Sequence, residues 1–325
     1  MLIKRFLIHA FAFSFVAFAI SVPAQRSDQM PAVGVLMVAS GLEDGPAQGV
    51  RNGLRQLGYV EGQNIRIEFR SALGHADQLE RLAQELADLR VNVLVAGTEP
   101  AVRAAQHATG DIPIVAVFSD HDPVASGLVT SLSRPGGNIT GIFSRQSELV
   151  GKRLELLKEV LPTLSRVAVL SDPYSQRQLN ELEQAGRALG VQLQSIELGA
   201  AYDFKAAFRA AKQKKAGAVI VLFSPVFYRE RARIAALALE AGLATMNQEE
   251  SWVAAGGLVS YGPTIADTFG RAAYFVDRLL KGAKPSDLPV EQAASFKLTV
   301  NLRTAKALRL TLPESILLRA DEVIR

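Results

Sequence analysis

The chain of 325 residues is too long for one ordinary hydrophobic core and fits two lobes of normal domain size. Hydrophobic residues at 49% and charged residues at 21%, with Gly and Pro spread throughout, describe a packed globular protein and exclude disordered and fibrous classes. The formal charge of +4, which falls to +2 once Lys4 and Arg5 leave with a leader, is too small for a nucleic-acid binder; the absence of cysteine excludes disulfides, thiolate metal sites, thiol nucleophiles and a lipidated N-terminal cysteine.

Met1 to Ala24 opens with Lys4 and Arg5, continues through an apolar stretch from Phe6 to Ile20 and ends in Val22-Pro23-Ala24, the three parts of a secretory signal. Its apolar run is shorter than the roughly 20 residues a spanning helix needs, and His9 and Ser14 interrupt it. The expectation is cleavage near Gln25 and a periplasmic, non-lipidated product. The four histidines, His9, His75, His107 and His121, show no ligand-like pairing, so neither a metal nor a cofactor is expected.

Beyond the leader, short Val- and Ile-rich runs alternate with longer stretches of helical period, the pattern of parallel sheets covered by helices on both faces. Strands are predicted at Val33 to Val38, Ile65 to Arg70, Val93 to Ala96, Ile114 to Val117 and Ile139 to Phe143, with helices near Pro46 to Leu57, Ala76 to Leu89 and Pro100 to Ala108 between them. A second series follows: helix Glu148 to Leu161, strand Arg166 to Ser171, helix Gln176 to Leu189, strand Gln192 to Glu197, helix Asp203 to Gln213, strand Ala218 to Phe223 and helix Tyr228 to Ala241. Gly257 to Tyr261, Ala266 to Leu280 and Phe296 to Asn301 are too few for a third core. No Pro/Gly/Ser-rich linker separates the series, so the junction is expected to be continuous strands or short crossovers, acting as a hinge, rather than a flexible tether. The division expected is a signal peptide over 1–24, a first lobe of 25–144 and 247–284, and a second lobe of 145–246 and 285–325.

In open parallel sheets ligands sit beyond the carboxyl ends of the strands. After the first strand, Ser40 and Gly41 read either as ligand contacts or as a plain turn. Thr98, Glu99 and Pro100 open a helix whose free N–H groups suit an anion, although capping alone also accounts for Thr98. Ser119, Asp120, His121 and Asp122 gather two carboxylates and an imidazole after a strand, as an amine site or an acid/base pair requires; Asp122 before Pro123 also reads as a cap. Asp172-Pro173-Tyr174, Phe223-Ser224-Pro225 and Met246-Asn247-Gln248-Glu249 end strands of the second series in the same way. Ser133 to Gly141 precedes a strand and lacks the Lys-Ser/Thr ending of a phosphate loop, and no Gly-X-Ser-X-Gly motif occurs.

Five segments together, Gly53-Leu-Arg-Gln-Leu-Gly-Tyr-Val-Glu-Gly-Gln-Asn64, Ser133-Arg-Pro-Gly-Gly-Asn-Ile-Thr-Gly141, Gly151-Lys-Arg-Leu-Glu-Leu-Leu-Lys158, Ala255-Gly-Gly-Leu-Val-Ser-Tyr-Gly-Pro263 and Leu318-Arg-Ala-Asp-Glu-Val-Ile324, resemble the ABC transporter substrate-binding protein family that includes tryptophan and tyrosine uptake binding proteins. The resemblance runs nearly the full length. It implies the type I periplasmic-binding fold: two Rossmann-like α/β lobes with parallel sheets, joined by three crossovers and closing on an amino acid or similar small molecule. It also implies cleft-facing positions for Ser40, Thr98, Glu99, Ser119, Asp120, Ser144, Tyr174, Ser224, Asn247 and Tyr261. The chain departs from the family pattern at Ser119 to Pro123 and at Asn247 to Trp252.

The expected function is therefore the periplasmic solute-binding component of an ABC importer, a monomer that partners an inner-membrane permease and is not an enzyme. Two other readings use the same residues: an exported enzyme with Asp120, His121 and Asp122 as acid/base groups, and a ligand sensor for a membrane receptor.

Overall fold

A computed structural model describes residues 30–118, 120, 122–199, 201–293 and 295–325. The predicted signal peptide, Ser119 and His121 lie outside the described residues. The first series of runs forms strands β1 (Ala32–Met37), β2 (Arg66–Ser71), β3 (Val93–Gly97), β4 (Ile114–Phe118) and β5 (Ile139–Phe143), with helices α1 (Gly45–Gln56), α2 (Leu79–Asp88) and α3 (Glu99–Ala108) between them. The second series comprises α4 (Gln146–Val160), β6 (Arg166–Ser171), α5 (Gln176–Leu189), β7 (Gln192–Glu197), α6 (Phe204–Gln213), β8 (Ala218–Val221), α7 (Pro225–Arg229), α8 (Arg231–Glu240), β9 (Ala244–Asn247), α9 (Glu250–Ala254) and β10 (Val259–Gly262). Helix α10 (Ile265–Leu280), β11 (Glu291–Gln292), β12 (Lys297–Asn301), α11 (Leu302–Ala307), α12 (Glu314–Arg319) and β13 (Glu322–Ile324) complete the chain.

Two sheets result, in the strand orders β11-β5-β4-β3-β1-β2 and β13-β12-β10-β9-β8-β6-β7. Their central strands are buried on both faces, and successive side chains alternate between two cores. In β1, Val33, Val35 and Met37 face a cluster with Val50 and Leu54 of α1 and Phe269 and Val276 of α10. Leu36 faces the opposite cluster with Leu82, Leu86 and Val102 of α2 and α3. The second lobe repeats the scheme: Val167, Val169 and Ile220 pack on α4 and α5, while Ala168, Leu170, Val219 and Val221 pack on Phe204 and Phe208 of α6. Each such aliphatic side chain stabilises the fold by about 1.5–3 kcal/mol. Pairing is parallel except where β12 runs antiparallel to β10.

The lobe boundaries differ from those expected. The sequence division kept Ala244 to Met246 in the second lobe, where β9 pairs with β8, but returned the chain to the first lobe at Asn247, whereas β10 pairs with β9 and extends the second sheet. The return comes at α10, which lies on α1 and on β3, β4 and β5. The expected final crossing near Lys284 comes later as well, because β11 pairs with Ile142 and Phe143 of β5. The chain thus passes between lobes after Phe143, after Gly262 and after Gln292. Hydrophobic period identifies a buried strand but not the sheet that takes it. Glycine allows the α1–α10 contact, since a Cβ on Gly53 would stand 2.4 Å from the Gly270 carbonyl oxygen. Among the described residues, no helix is long and apolar enough to cross a membrane.

Candidate functional site

The carboxyl ends of β1, β3 and β4 face those of β8 and β9 across the three crossovers. Two adjoining hollows lie there, of about 450 and 360 Å³ with their open mouths included, sharing Phe223, Tyr228, Ile265 and Phe269 as common walls. They form one cleft. The first lobe supplies Ser40, Gly97, Thr98, Val117, Ser144 and Phe269; the second supplies Phe223, Ser224, Tyr228, Gln248, Glu249 and Trp252.

Of the residues singled out from sequence, Ser40, Thr98, Ser144 and Ser224 line this cleft. Thr98 has φ 78°, makes no side-chain cap, and keeps its buried Oγ1 without a hydrogen-bond partner, so capping does not account for it. Ser224 does cap: its Oγ accepts from the Val226 and Phe227 N–H groups at 3.1 and 3.3 Å and donates to Asp172 Oδ2.

The others serve elsewhere. The Gly41 N–H donates to Asp44 Oδ2 at 2.6 Å and closes a turn. Glu99 accepts from Arg103 Nε at 2.7 Å on its own helix. Asp120 is buried, its Oδ1 accepting from both the N–H and the Oγ of Ser147 at 2.6 Å, which ties the end of β4 to the start of α4. Asp122 caps the following turn through the Val124 and Ala125 N–H groups, and these bonds hold its carboxyl below the usual carboxylate range. Tyr174 packs against the first lobe's core. Asn247 is buried with its side-chain amide unpartnered among the described residues, and Tyr261 stacks on Phe296 with ring centroids 6.3 Å apart.

Glu249, Gln248, Trp252, Tyr228 and Gln146 were not selected from sequence, although Gln248 and Glu249 adjoin the selected Asn247. The signal was present as two consecutive acids directly after a buried strand, followed by an aromatic. Glu249 is 3% exposed, and among the described residues its carboxylate accepts only from Ser251, at 3.0 Å from N and 2.5 Å from Oγ. Burial pushes its carboxyl up to about 7. Burial, reinforced by the Glu249 charge, likewise pushes the Tyr228 phenol up to about 12. A second buried carboxylate, Asp172, accepts from Tyr174 N at 3.0 Å, Tyr202 OH at 3.1 Å and the hydroxyl of Ser224; burial raises its pKa against those bonds.

Helix α7 and the start of α8 bridge the lobes. Val226 enters the first lobe's core, Arg229 donates to the Leu73 carbonyl, and Arg231 stands 3.6 Å from Asp44 with its guanidinium 4.5 Å over the Tyr228 ring. Removing both guanidiniums in an Arg229→Ala, Arg231→Ala variant is expected to shift the ligand-free protein toward open lobes. The check is small-angle scattering: the variant's radius of gyration should exceed the wild type's without ligand.

Two doubly wound lobes that share one cleft, each contributing half its wall, define a two-lobed ligand-binding protein. The family model described as ABC transporter substrate binding protein matches residues 32–324, and the chain belongs to that family. It is 27% identical over 271 residues to a tyrosine-binding protein of Clostridioides difficile (strain R20291), covering 82% of this chain and 76% of that protein. A conserved domain protein from Vibrio cholerae superposes with TM-score 0.82 at 26% identity, over 91% of this chain and 100% of the other. An ABC domain in complex with L-Trp from Streptococcus pneumoniae superposes with TM-score 0.81 at 24% identity, again over 91% and 100%. The family and its relatives are substrate-binding proteins, not enzymes, so the acid/base reading of Asp120, His121 and Asp122 falls away.

Proposed function

We propose that this protein is the periplasmic binding component of an ABC importer, exported by its leader, monomeric, and delivering an aromatic amino acid to an inner-membrane permease. The observation that carries the reading is the cleft wall: Phe223, Tyr228, Trp252 and Phe269 offer aromatic surface beside hydrogen-bonding Ser40, Thr98, Gln146 and Gln248. The tyrosine ligand of the C. difficile relative and the L-Trp of the S. pneumoniae structure support the same class. The ligand carboxylate is assigned to the start of α3, where the buried Thr98 Oγ1 has no hydrogen-bond partner in the protein and the helix N-terminus favours negative charge.

The test is a thermal-shift and calorimetric screen of the mature chain with L-tyrosine, L-tryptophan and the other amino acids. Ligand at a hundredfold excess over Kd stabilises the closed form by about 2.7 kcal/mol. A clear rise in Tm with an aromatic amino acid, and none with acidic or aliphatic ones, is expected; no shift with any amino acid overturns the reading.

A further inference from the structure

We propose that Glu249 is the specificity-determining residue of the cleft, its carboxylate receiving an ammonium group of the ligand; this rests on the reading of the cleft as the ligand site. Four carboxylates among the described residues are buried: Asp120, Asp172, Glu249 and Asp277. Asp277 pairs with Lys281 at 2.7 Å and accepts from Tyr59 OH at 3.0 Å. Asp120 is bound twice by Ser147 and lies in the field of the Arg153 guanidinium. Asp172 is surrounded by the hydroxyls of Ser175, Ser224 and Tyr202 and the Tyr174 N–H.

Glu249 differs in both respects. It stands in the cleft wall, and no cation among the described residues forms an ion pair with it. Its two hydrogen bonds come from neutral groups of Ser251, at the start of its own helix, leaving about half of a carboxylate's acceptor positions open. The groups that face it are Tyr228 of α7, Arg231 of α8 and Glu250 of α9. Arg231 is held off toward Asp44 and the Tyr228 ring, and Glu250 adds negative charge. A carboxylate removed from water attracts a desolvated cation, and Tyr228 and Trp252 line the same hollow as Glu249.

The pairing couples binding to a proton. Without ligand the Glu249 carboxyl titrates at about 7, and an ammonium beside it favours the ionised form. Binding therefore releases a proton, and affinity falls as the pH drops below that range. Between pH 8 and pH 6 the expected loss is about tenfold, because the ionised fraction of the free site falls from about ten elevenths to about one eleventh.

The experiment is calorimetry on wild type and Glu249→Gln with L-tyrosine and L-tryptophan, their deaminated analogues 3-(4-hydroxyphenyl)propionate and indole-3-propionate, and the primary amines tyramine and tryptamine, at pH 6 and pH 8. Wild type should prefer each amino acid to its deaminated analogue at least tenfold. Glu249→Gln should lose at least tenfold for the amino acids, keep the deaminated analogues within about threefold, and show no pH dependence. Equal binding of amino acid and analogue by wild type overturns the proposal, as does a Glu249→Gln loss that is the same for both. If wild type takes the amines but neither amino acid, the aromatic amino-acid reading fails while Glu249 stands; binding of no ammonium compound overturns both.

Discussion

Arg153→Ala is expected to lower stability by about 3–5 kcal/mol, the cost of removing one partner from a buried charged network. Arg153 is 1% exposed and lies on α4, shortly after the first crossover. Its Nε donates to the Tyr261 carbonyl at 2.8 Å, next to the second crossover, and its Nη2 donates to Gln146 beside the first. One side chain thus ties two of the three hinge segments. Burial pulls the guanidinium down to about 9, opposed by the Asp120 charge, so it stays charged at neutral pH. Alanine leaves the Tyr261 carbonyl without the Arg153 donor and removes the guanidinium charge from beside Asp120. Urea unfolding should show the midpoint fall. Arg153→Lys, which keeps the charge but loses the planar fork, should recover only part of it. A loss under about 1 kcal/mol for Arg153→Ala would remove the network from the hinge.

Gly262→Ala is expected to cost about 3 kcal/mol and to weaken ligand binding at the same time. A Cβ at this position would stand 2.1 Å from the Gln248 carbonyl oxygen and 2.9 Å from Arg153 Nη2. The first of these is backbone and cannot rotate away. Either the end of β10 or the segment that carries Gln248 and Glu249 must move, and the latter forms the cleft wall. Gly110→Ala is the control: its Cβ meets nothing within 4 Å, and the change should stay within about 0.5 kcal/mol. Chemical unfolding reads the first effect and calorimetric titration with an aromatic amino acid reads the second. A variant that loses stability but binds as the wild type does would show that β10 yields and the Glu249 segment holds.

Most of the fold was legible because its strands are buried on both faces. Runs such as Val93 to Ala96 and Ala218 to Val221 are apolar at every position, which a solvent-facing strand does not tolerate, and the helices between them carry one apolar face each. The cleft was legible in part. Ser40, Thr98, Ser144 and Ser224 follow from the rule that ligands lie beyond strand ends, and that rule needs only local sequence. Asp120 met the same rule, and its bond to Ser147, 27 residues away at the start of another lobe's helix, is one that local sequence does not show. Glu249 was passed over for Asn247, two residues earlier. The strand ends at Asn247 and Glu249 caps the short helix that follows, so the direction of its side chain is set by the intervening bend, which strand period does not reveal.

The amino-acid sequence by itself determined two series of buried strands and helices, hence two doubly wound lobes, and, through motifs spread over the chain, the family. Only the tertiary structure decided that β10 joins the second sheet, that α10 packs against Gly53 of α1, and that Glu249, not Asp120, is the acid in the cleft wall. The division has one physical reason. Burial and helical period are properties of neighbouring residues, whereas strand pairing and charge pairing join residues dozens of positions apart, and their partners are chosen by packing.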